Sequence, residues 1–268
     1  MRHNFGAGGS ARLIDRRVSP TTQTDGRRLG RALDACAKRL FDLTVAMILL
    51  LALSPLILVV LLMIACESRG PLFYRARRVG FGGEELRMLK FRKMKQTASG
   101  VPLTLAHDDR FTRVGRFLAA SKLDEIPQLW NVVKGEMSLV GPRPEDPVFV
   151  TMVPEEYEVV TSVRPGVTGL TQLAFARESE ILDANDRLDY YVSHLLHQKV
   201  KLDCLYVEHR TFWMDLEILA WTAAAVVLRR PVAVHRQSGR LNVRRRPELA
   251  LEPETAHTLA FEEGYRNA

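Results

Sequence analysis

Between Leu43 and Cys66 the chain runs for 24 residues without a charged side chain. A helix of that length is enough to cross the ~30 Å hydrocarbon core of a bilayer. The flanks complicate a simple crossing. Arg27, Arg28, Arg31, Lys38 and Arg39 precede the run, and Arg69, Arg75, Arg77 and Arg78 follow it. Basic residues collect on the cytoplasmic side of a membrane, and one span can leave only one flank there. Ser54-Pro55 divides the run into two stretches of eleven residues, Leu43–Leu53 and Leu56–Cys66, each about 16 Å long as a helix. Pro55 removes the bond to the Leu51 carbonyl and bends the axis, and the Ser54 hydroxyl can satisfy part of the backbone so freed. The run alone fits a kinked spanning helix equally well. The symmetric charges favour a re-entrant helix-break-helix with both ends on one side. No small-residue cleavage site follows, and the run starts too late for an ordinary signal peptide.

An apolar fraction of 47% excludes general disorder, and 268 residues suffice for one large domain or two small ones. The net charge of +7 points to an anionic partner: phospholipid, a phosphorylated substrate or nucleic acid. The three cysteines, Cys36, Cys66 and Cys204, lack metal-ligand spacing and suit a reducing compartment.

The expected fold class is α+β, mainly helical. Residues 1–37 read as a flexible basic tail, 38–68 as the membrane segment, 69–230 as a catalytic domain and 231–268 as a poorly ordered C-terminal tail. Leu72–Arg77 and Glu85–Met94 alternate around Gly80-Phe81-Gly82-Gly83, predicting a β-hairpin with Lys90 and Arg92 on one face. Asp108–Ala119 reads as a helix, and a second helix should begin near Asp124 and end near Gly135. Ser138-Leu139-Val140 resembles a short strand, with a helix near Pro154–Val160 beyond it. Phe212–Leu228 reads as a last helix, almost wholly apolar from Ile218 to Leu228, eleven residues that are too few to span. Trp213, Trp221 and Arg229-Arg230 suit either an amphipathic helix at the membrane interface or a helix packed on the core.

Asp124-Glu125 at a helix start is first of all ordinary decoration, since the positive end of the helix dipole favours carboxylates. The same pair can bind Mg²⁺, whose oxygen ligands are shared with substrate phosphates, or attack phosphorus as a nucleophile. Arg143, held between two prolines, can present a fixed guanidinium to a phosphate. Arg164, Lys90 and Arg92 raise the same question on weaker grounds. No nucleotide-binding P-loop, zinc motif or serine-hydrolase elbow is present.

Together these features form an ordered set. Lys38-Arg39-Leu40-Phe41-Asp42, Ser54-Pro55 and Lys90-Phe91-Arg92 precede Ser121-Lys122-Leu123-Asp124-Glu125-Ile126-Pro127-Gln128-Leu129-Trp130-Asn131-Val132. Gly135-Glu136-Met137-Ser138-Leu139-Val140-Gly141-Pro142-Arg143-Pro144 and Pro165-Gly166-Val167-Thr168-Gly169-Leu170-Thr171-Gln172 follow. From about Lys38 to Arg230 the chain strongly resembles the bacterial sugar transferases, the monotopic polyprenyl-phosphate phosphoglycosyl transferases.

The resemblance implies a re-entrant membrane helix broken at Ser54-Pro55, with the catalytic domain on the cytoplasmic face of the bacterial inner membrane. It implies transfer of a sugar phosphate from a UDP-sugar to a polyprenyl phosphate such as undecaprenyl phosphate, releasing UMP. Asp124 takes the place of the nucleophile, Glu125 that of its metal or proton partner, and Mg²⁺ is the implied cofactor. Lys90, Arg92, Arg143 and Arg164 become the phosphate-binding candidates. Three departures stand out: Lys93 where Ser or Thr is usual, Glu136 for aspartate, and Leu173–Glu178 for a Gly-Arg-Asn-like stretch. The donor sugar, the glycan pathway and homo-oligomerisation stay open. A non-catalytic scaffold binding polyprenyl phosphate or acidic lipid is the competing reading. Nucleic-acid binding ranks below both, because the apolar run commits the chain to a membrane.

Overall fold

The computed structural model describes residues 21–95, 108–176, 187–230, 232–236 and 238–243. The chain divides into two compact units, Met1–Phe41 and Asp42–Ala268. Helix α1 covers Thr21–Ala52, so the residues from Thr21 onward are helical where a flexible tail was expected. Arg, Leu and Ala, which dominate the stretch before Asp42, are strong helix formers. Residues 1–20 lie outside the described ones.

Helix α2 (Ser54–Glu67) follows at once, with Pro55 in its first turn. The axis bends by 60° at the break. The Ser54 hydroxyl donates to the Leu51 carbonyl at 2.7 Å, the acceptor that Pro55 leaves without an amide. No single described helix is long and apolar enough to cross a membrane, whereas this bent pair qualifies by length and composition. One face of α2 is buried: Val60 and Ile64 pack with Phe91 and Leu118, flanked by Leu56, Ile57, Leu61 and Val114. Its other face leaves Leu58, Val59 and Leu62 exposed.

Strands β1 (Phe73–Val79) and β2 (Glu85–Phe91) form the antiparallel hairpin, with Tyr74 opposite Lys90 and Val79 opposite Glu85. Helix α3 (Arg113–Ser121) begins later than its pattern suggests, because Thr112 caps it by accepting from the Gly115 amide. Helix α4 (Gln128–Lys134) ends at Gly135 as expected. Strand β3 (Ser138–Val140) pairs in parallel with β4 (Gly166–Thr168). Their crossing is very close: a Cβ on Gly166 would lie 2.1 Å from the Gly141 amide nitrogen, so only glycine fits there.

Helix α5 (Pro147–Val150) and helix α6 (Pro154–Val160) supply Phe149, Val153, Tyr157 and Val160 to the main apolar cluster. Tyr191, Leu195, Leu196 and Val200 complete it. They come from a π-helical stretch, Tyr191–Leu196, leading into the helix His197–His209. The short helix Leu170–Ala174 lies between this layer and the helix Phe212–Val227. The latter buries Asp215 and Ile218 while leaving Phe212, Trp213, Val226 and Val227 exposed. The helix thus packs on the core through Asp215 and Ile218 and leaves apolar side chains exposed at both of its ends.

The expected disordered C-terminal tail needs correction at its start. Val232–Val234 and Leu241–Val243 form an antiparallel pair, and Val232 and Leu241 are buried. The alternation of apolar residues and the turn at Gly239, with φ of 66°, explain the hairpin. Residues 244–268 lie outside the described ones.

Candidate active site

The site is assembled at the turn between α3 and α4. Helix α3 ends in Lys122, whose φ of 60° and ψ of 11° turn the chain sharply, a conformation that costs a non-glycine residue about 1 kcal/mol. A single 3₁₀ turn, Leu123–Glu125, follows, and regular helix resumes only at Gln128 after Pro127. Asp124 therefore lies in a short turn rather than in the first turn of a helix. It is 2% exposed.

Two lysines match the two carboxylates. Lys90 on β2 donates to Glu125 Oε1 at 2.8 Å, and the Lys93 ammonium lies 3.0 Å from Asp124 Oδ2. The second contact is an ion pair off the hydrogen-bonding direction, so Asp124 Oδ2 is buried without a hydrogen bond. Burial works to raise the Glu125 pKa, but the charges of Lys90, Arg143 and Lys122 outweigh it and hold the carboxyl well below its usual range. Burial lowers the Lys90 pKa, an effect that the neighbouring Glu125 and Asp124 charges oppose.

The strand carrying Lys90 is held in register by Asn131 on α4. Its amide oxygen accepts from the Leu89 N–H at 2.9 Å and its amide nitrogen donates to the Arg87 carbonyl at 3.0 Å. The same nitrogen donates to Glu136 Oε2 at 2.6 Å. The glutamate found in place of the usual aspartate thus reaches back to fix this clamp.

Arg143 joins the cluster from the loop after β3. Its charge acts on Glu125, Lys90 and Glu145. Its amide faces Asp203 Oδ1 at 3.4 Å, and the Thr171 hydroxyl donates to the same oxygen at 2.7 Å. Behind the loop, Glu145 Oε2 accepts from Tyr191 at 2.6 Å and from Lys199 at 3.2 Å. Arg78 pairs with Asp146 at 2.5 Å. This buried network sets the loop that presents Arg143.

The structure does not bring Arg92 and Arg164 to the carboxylates. Arg92 donates to the carbonyls of Ser68 at 2.7 Å, Arg69 at 3.0 Å and Ile64 at 3.5 Å, and to the Ser68 hydroxyl at 2.8 Å. It closes the carbonyl end of α2, where the Ile64 carbonyl also accepts from the Ser68 amide at 3.3 Å. Arg164 donates to the Gly135 carbonyl at 2.9 Å and lies 5.6 Å from the Phe81 ring centre, at the far end of α4 from Asp124. Ser54 and Pro55 stand at the helix break. Sequence reasoning missed the pairing of Lys93 with Asp124, although Lys93 was visible as a third base within four residues of Lys90.

Among the described residues no group of three or more His, Cys, Asp or Glu side chains converges as a metal cage. The adjacent carboxylates of Asp124 and Glu125 nonetheless suit Mg²⁺, which is commonly held by one or two carboxylates with water and substrate phosphates. Asp124 Oδ2, which faces the Lys93 ammonium at 3.0 Å, is one of the oxygens that would hold it.

The family model for bacterial sugar transferases matches residues 33–229. An undecaprenyl-phosphate glucose phosphotransferase of Komagataeibacter xylinus is 38% identical over 198 residues, covering 70% of this chain and 35% of that protein. A UDP-glucose:undecaprenyl-phosphate glucose-1-phosphate transferase of Caulobacter vibrioides is 36% identical over 221 residues, 78% of each chain. The exopolysaccharide production protein ExoY of Sinorhizobium fredii is 34% identical over 217 residues, covering 75% of this chain and 89% of that protein. The chain spans about a third of the first of these relatives and most of the other two. With the family model covering well over half its length and the Asp124-Glu125 turn, the Arg143 loop and the bent helix all in place, this chain belongs to the bacterial sugar transferase family.

Proposed function

We propose that the chain transfers a sugar 1-phosphate from a UDP-sugar to a polyprenyl phosphate, beginning the synthesis of a lipid-linked glycan such as an exopolysaccharide. The observation that carries this reading is the buried Asp124 carboxylate, with one oxygen lacking a hydrogen bond, set among Lys90, Lys93 and Arg143. Relatives named for the same transfer to undecaprenyl phosphate support it.

An Asp124 oxygen attacks the sugar-linked phosphorus. The bond from that phosphorus to the bridging oxygen breaks, and UMP leaves with the electron pair. The enzyme then holds the sugar phosphate as an acyl phosphate. An oxygen of the polyprenyl phosphate attacks the same phosphorus and expels the Asp124 carboxylate, giving the diphosphate-linked lipid. Lys90 and Arg143 bind the phosphoryl oxygens as charge shifts toward the leaving group. Glu125 is kept ionised beside Lys90 and would hold Mg²⁺ together with Asp124. Mg²⁺ bound there supplies charge neutralisation to the diphosphate.

The bent pair α1–α2 enters and leaves the membrane on the cytoplasmic side. Asp42 near the start of the run and Glu67 at its end support this, since both bond to the catalytic domain: Asp42 to Ser138 at 2.7 Å, Glu67 to the Arg113 amide at 2.6 Å. The exposed apolar face of Phe212–Val227 rests at the interface beside it. UMP release from a panel of UDP-sugars, with undecaprenyl phosphate and Mg²⁺, tests the reading. Release from at least one donor is expected, and silence with all of them would leave the scaffold reading standing.

A further inference from the structure

Lys93 is fixed more firmly than a surface lysine. Its carbonyl accepts from the Thr112 amide at 3.1 Å. Helix α3 lies so close that a Cβ on Gly115 would come within 1.8 Å of the Lys93 oxygen. The Phe111 ring sits 5.8 Å from the ammonium. The side chain is thereby delivered to Asp124, whose own side chain is only 3% exposed.

Lys90 is committed to Glu125 at 2.8 Å, which leaves Lys93 as the lysine in contact with Asp124. A divalent cation on Asp124 Oδ2 would take the oxygen that Lys93 already faces at 3.0 Å. Mg²⁺ would sit about 2.1 Å from that oxygen, leaving an ammonium and a dication in mutual repulsion across a poorly solvated space.

From this geometry we infer that Lys93 is the resident counter-cation of Asp124, keeping divalent metal out of the free enzyme until an anionic nucleoside diphosphate draws the ammonium away. The diphosphate brings the negative charge that lets lysine and metal coexist at the site. The inference rests on the reading that Asp124 and Glu125 are the metal's carboxylates. Lys93 is a positioning residue in this account, and its effect appears in metal binding before any turnover.

The test is Mn²⁺ binding to the full chain in detergent micelles, followed by electron paramagnetic resonance of free Mn²⁺ without nucleotide. Lys93→Met and Lys93→Ser should each bind Mn²⁺ at least tenfold more tightly than wild type, while Lys93→Arg should bind as weakly as wild type. Adding Asp124→Asn to Lys93→Met should abolish the gain, which locates it on Asp124. Equal binding by wild type and both neutral variants, or a gain that survives Asp124→Asn, would overturn the inference. Loss of the transferase reading has a separate signature, absence of UMP release by wild type, and these binding curves do not depend on it.

Discussion

The Asp42 carboxylate accepts a hydrogen bond from the Ser138 hydroxyl at 2.7 Å, joining the first arm of the bent helix to a strand 96 positions later. Asp42 also faces the Leu139 amide at 3.4 Å, and it is 3% exposed. The strand so held leads directly into Pro142-Arg143-Pro144. Asp42→Ala removes the acceptor of the Leu139 amide and leaves the Ser138 hydroxyl only the Val140 carbonyl at 2.9 Å, a loss of about 1–3 kcal/mol. Thermal unfolding in detergent should show this, with Asp42→Asn retaining part of the stability.

Arg92 separates a tether from a substrate ligand. Its guanidinium gathers three main-chain carbonyls at the end of α2, a geometry that a lysine ammonium cannot span. Arg92→Lys and Arg92→Met should each lower stability by about 2 kcal/mol. The KM for the UDP-sugar should stay within about twofold of wild type in the fraction that folds. A tenfold rise in KM with unchanged melting would instead return Arg92 to the phosphate-binding set.

The network behind Arg143 gives the protein a signature in pH. Burial pushes the Asp203 carboxyl up to about 7 from an ordinary 3.8, despite the Thr171 and Arg143 hydrogen bonds that favour its charge. Between these values the unfolded chain releases a proton that the folded chain keeps, so this contribution to stability is lost as pH rises from about 4 to about 7. Glu145 behaves oppositely. Burial alone would raise its pKa, but Lys199, Arg78 and the Tyr191 hydrogen bond bring it down to about 2 from 4.5, so its contribution is lost as pH falls through that range. Asp203→Asn keeps the acceptor oxygen and removes the titration. Denaturant unfolding at pH 5 and pH 8 should show a larger loss of stability for wild type than for Asp203→Asn.

The re-entrant arrangement predicts sidedness. Cysteines placed at Arg31 and Arg69, in a chain whose native cysteines have been replaced, should both react with an impermeant maleimide applied from the cytoplasmic side of inverted vesicles. Reaction of the two from opposite sides would establish a span.

The sequence disclosed those parts of the molecule that depend on local chemistry. Ser54-Pro55 breaks the helix because proline lacks an amide. Gly135 ends α4, and the alternating segments around Gly80–Gly83 form the hairpin. Tertiary partners were not legible. The parallel pairing of Ser138 with Gly166, the clamp made by Asn131 and the ties through Asp42 and Arg92 depend on residues far apart in the chain. The expected helix-dipole setting of Asp124 gave way for a related reason. Lys122 and Pro127 confine it to a short turn, and a lysine from another segment supplies the charge. Arg164, a phosphate-binding candidate through the resemblance, donates to the Gly135 carbonyl, a contact that no local pattern announces.

Double displacement requires that Asp124 carry the donor's sugar phosphate as a covalent acyl phosphate. Wild type and Asp124→Asn are incubated with UDP-glucose and Mg²⁺ in the absence of polyprenyl phosphate, quenched and digested, and the peptide containing Leu123-Asp124-Glu125 is weighed by mass spectrometry. A hexose phosphate is expected on Asp124 of the wild type, released on adding undecaprenyl phosphate, and none on Asp124→Asn, which should also lose turnover by at least a thousandfold. Full turnover by Asp124→Asn, or the adduct on another side chain, would contradict it.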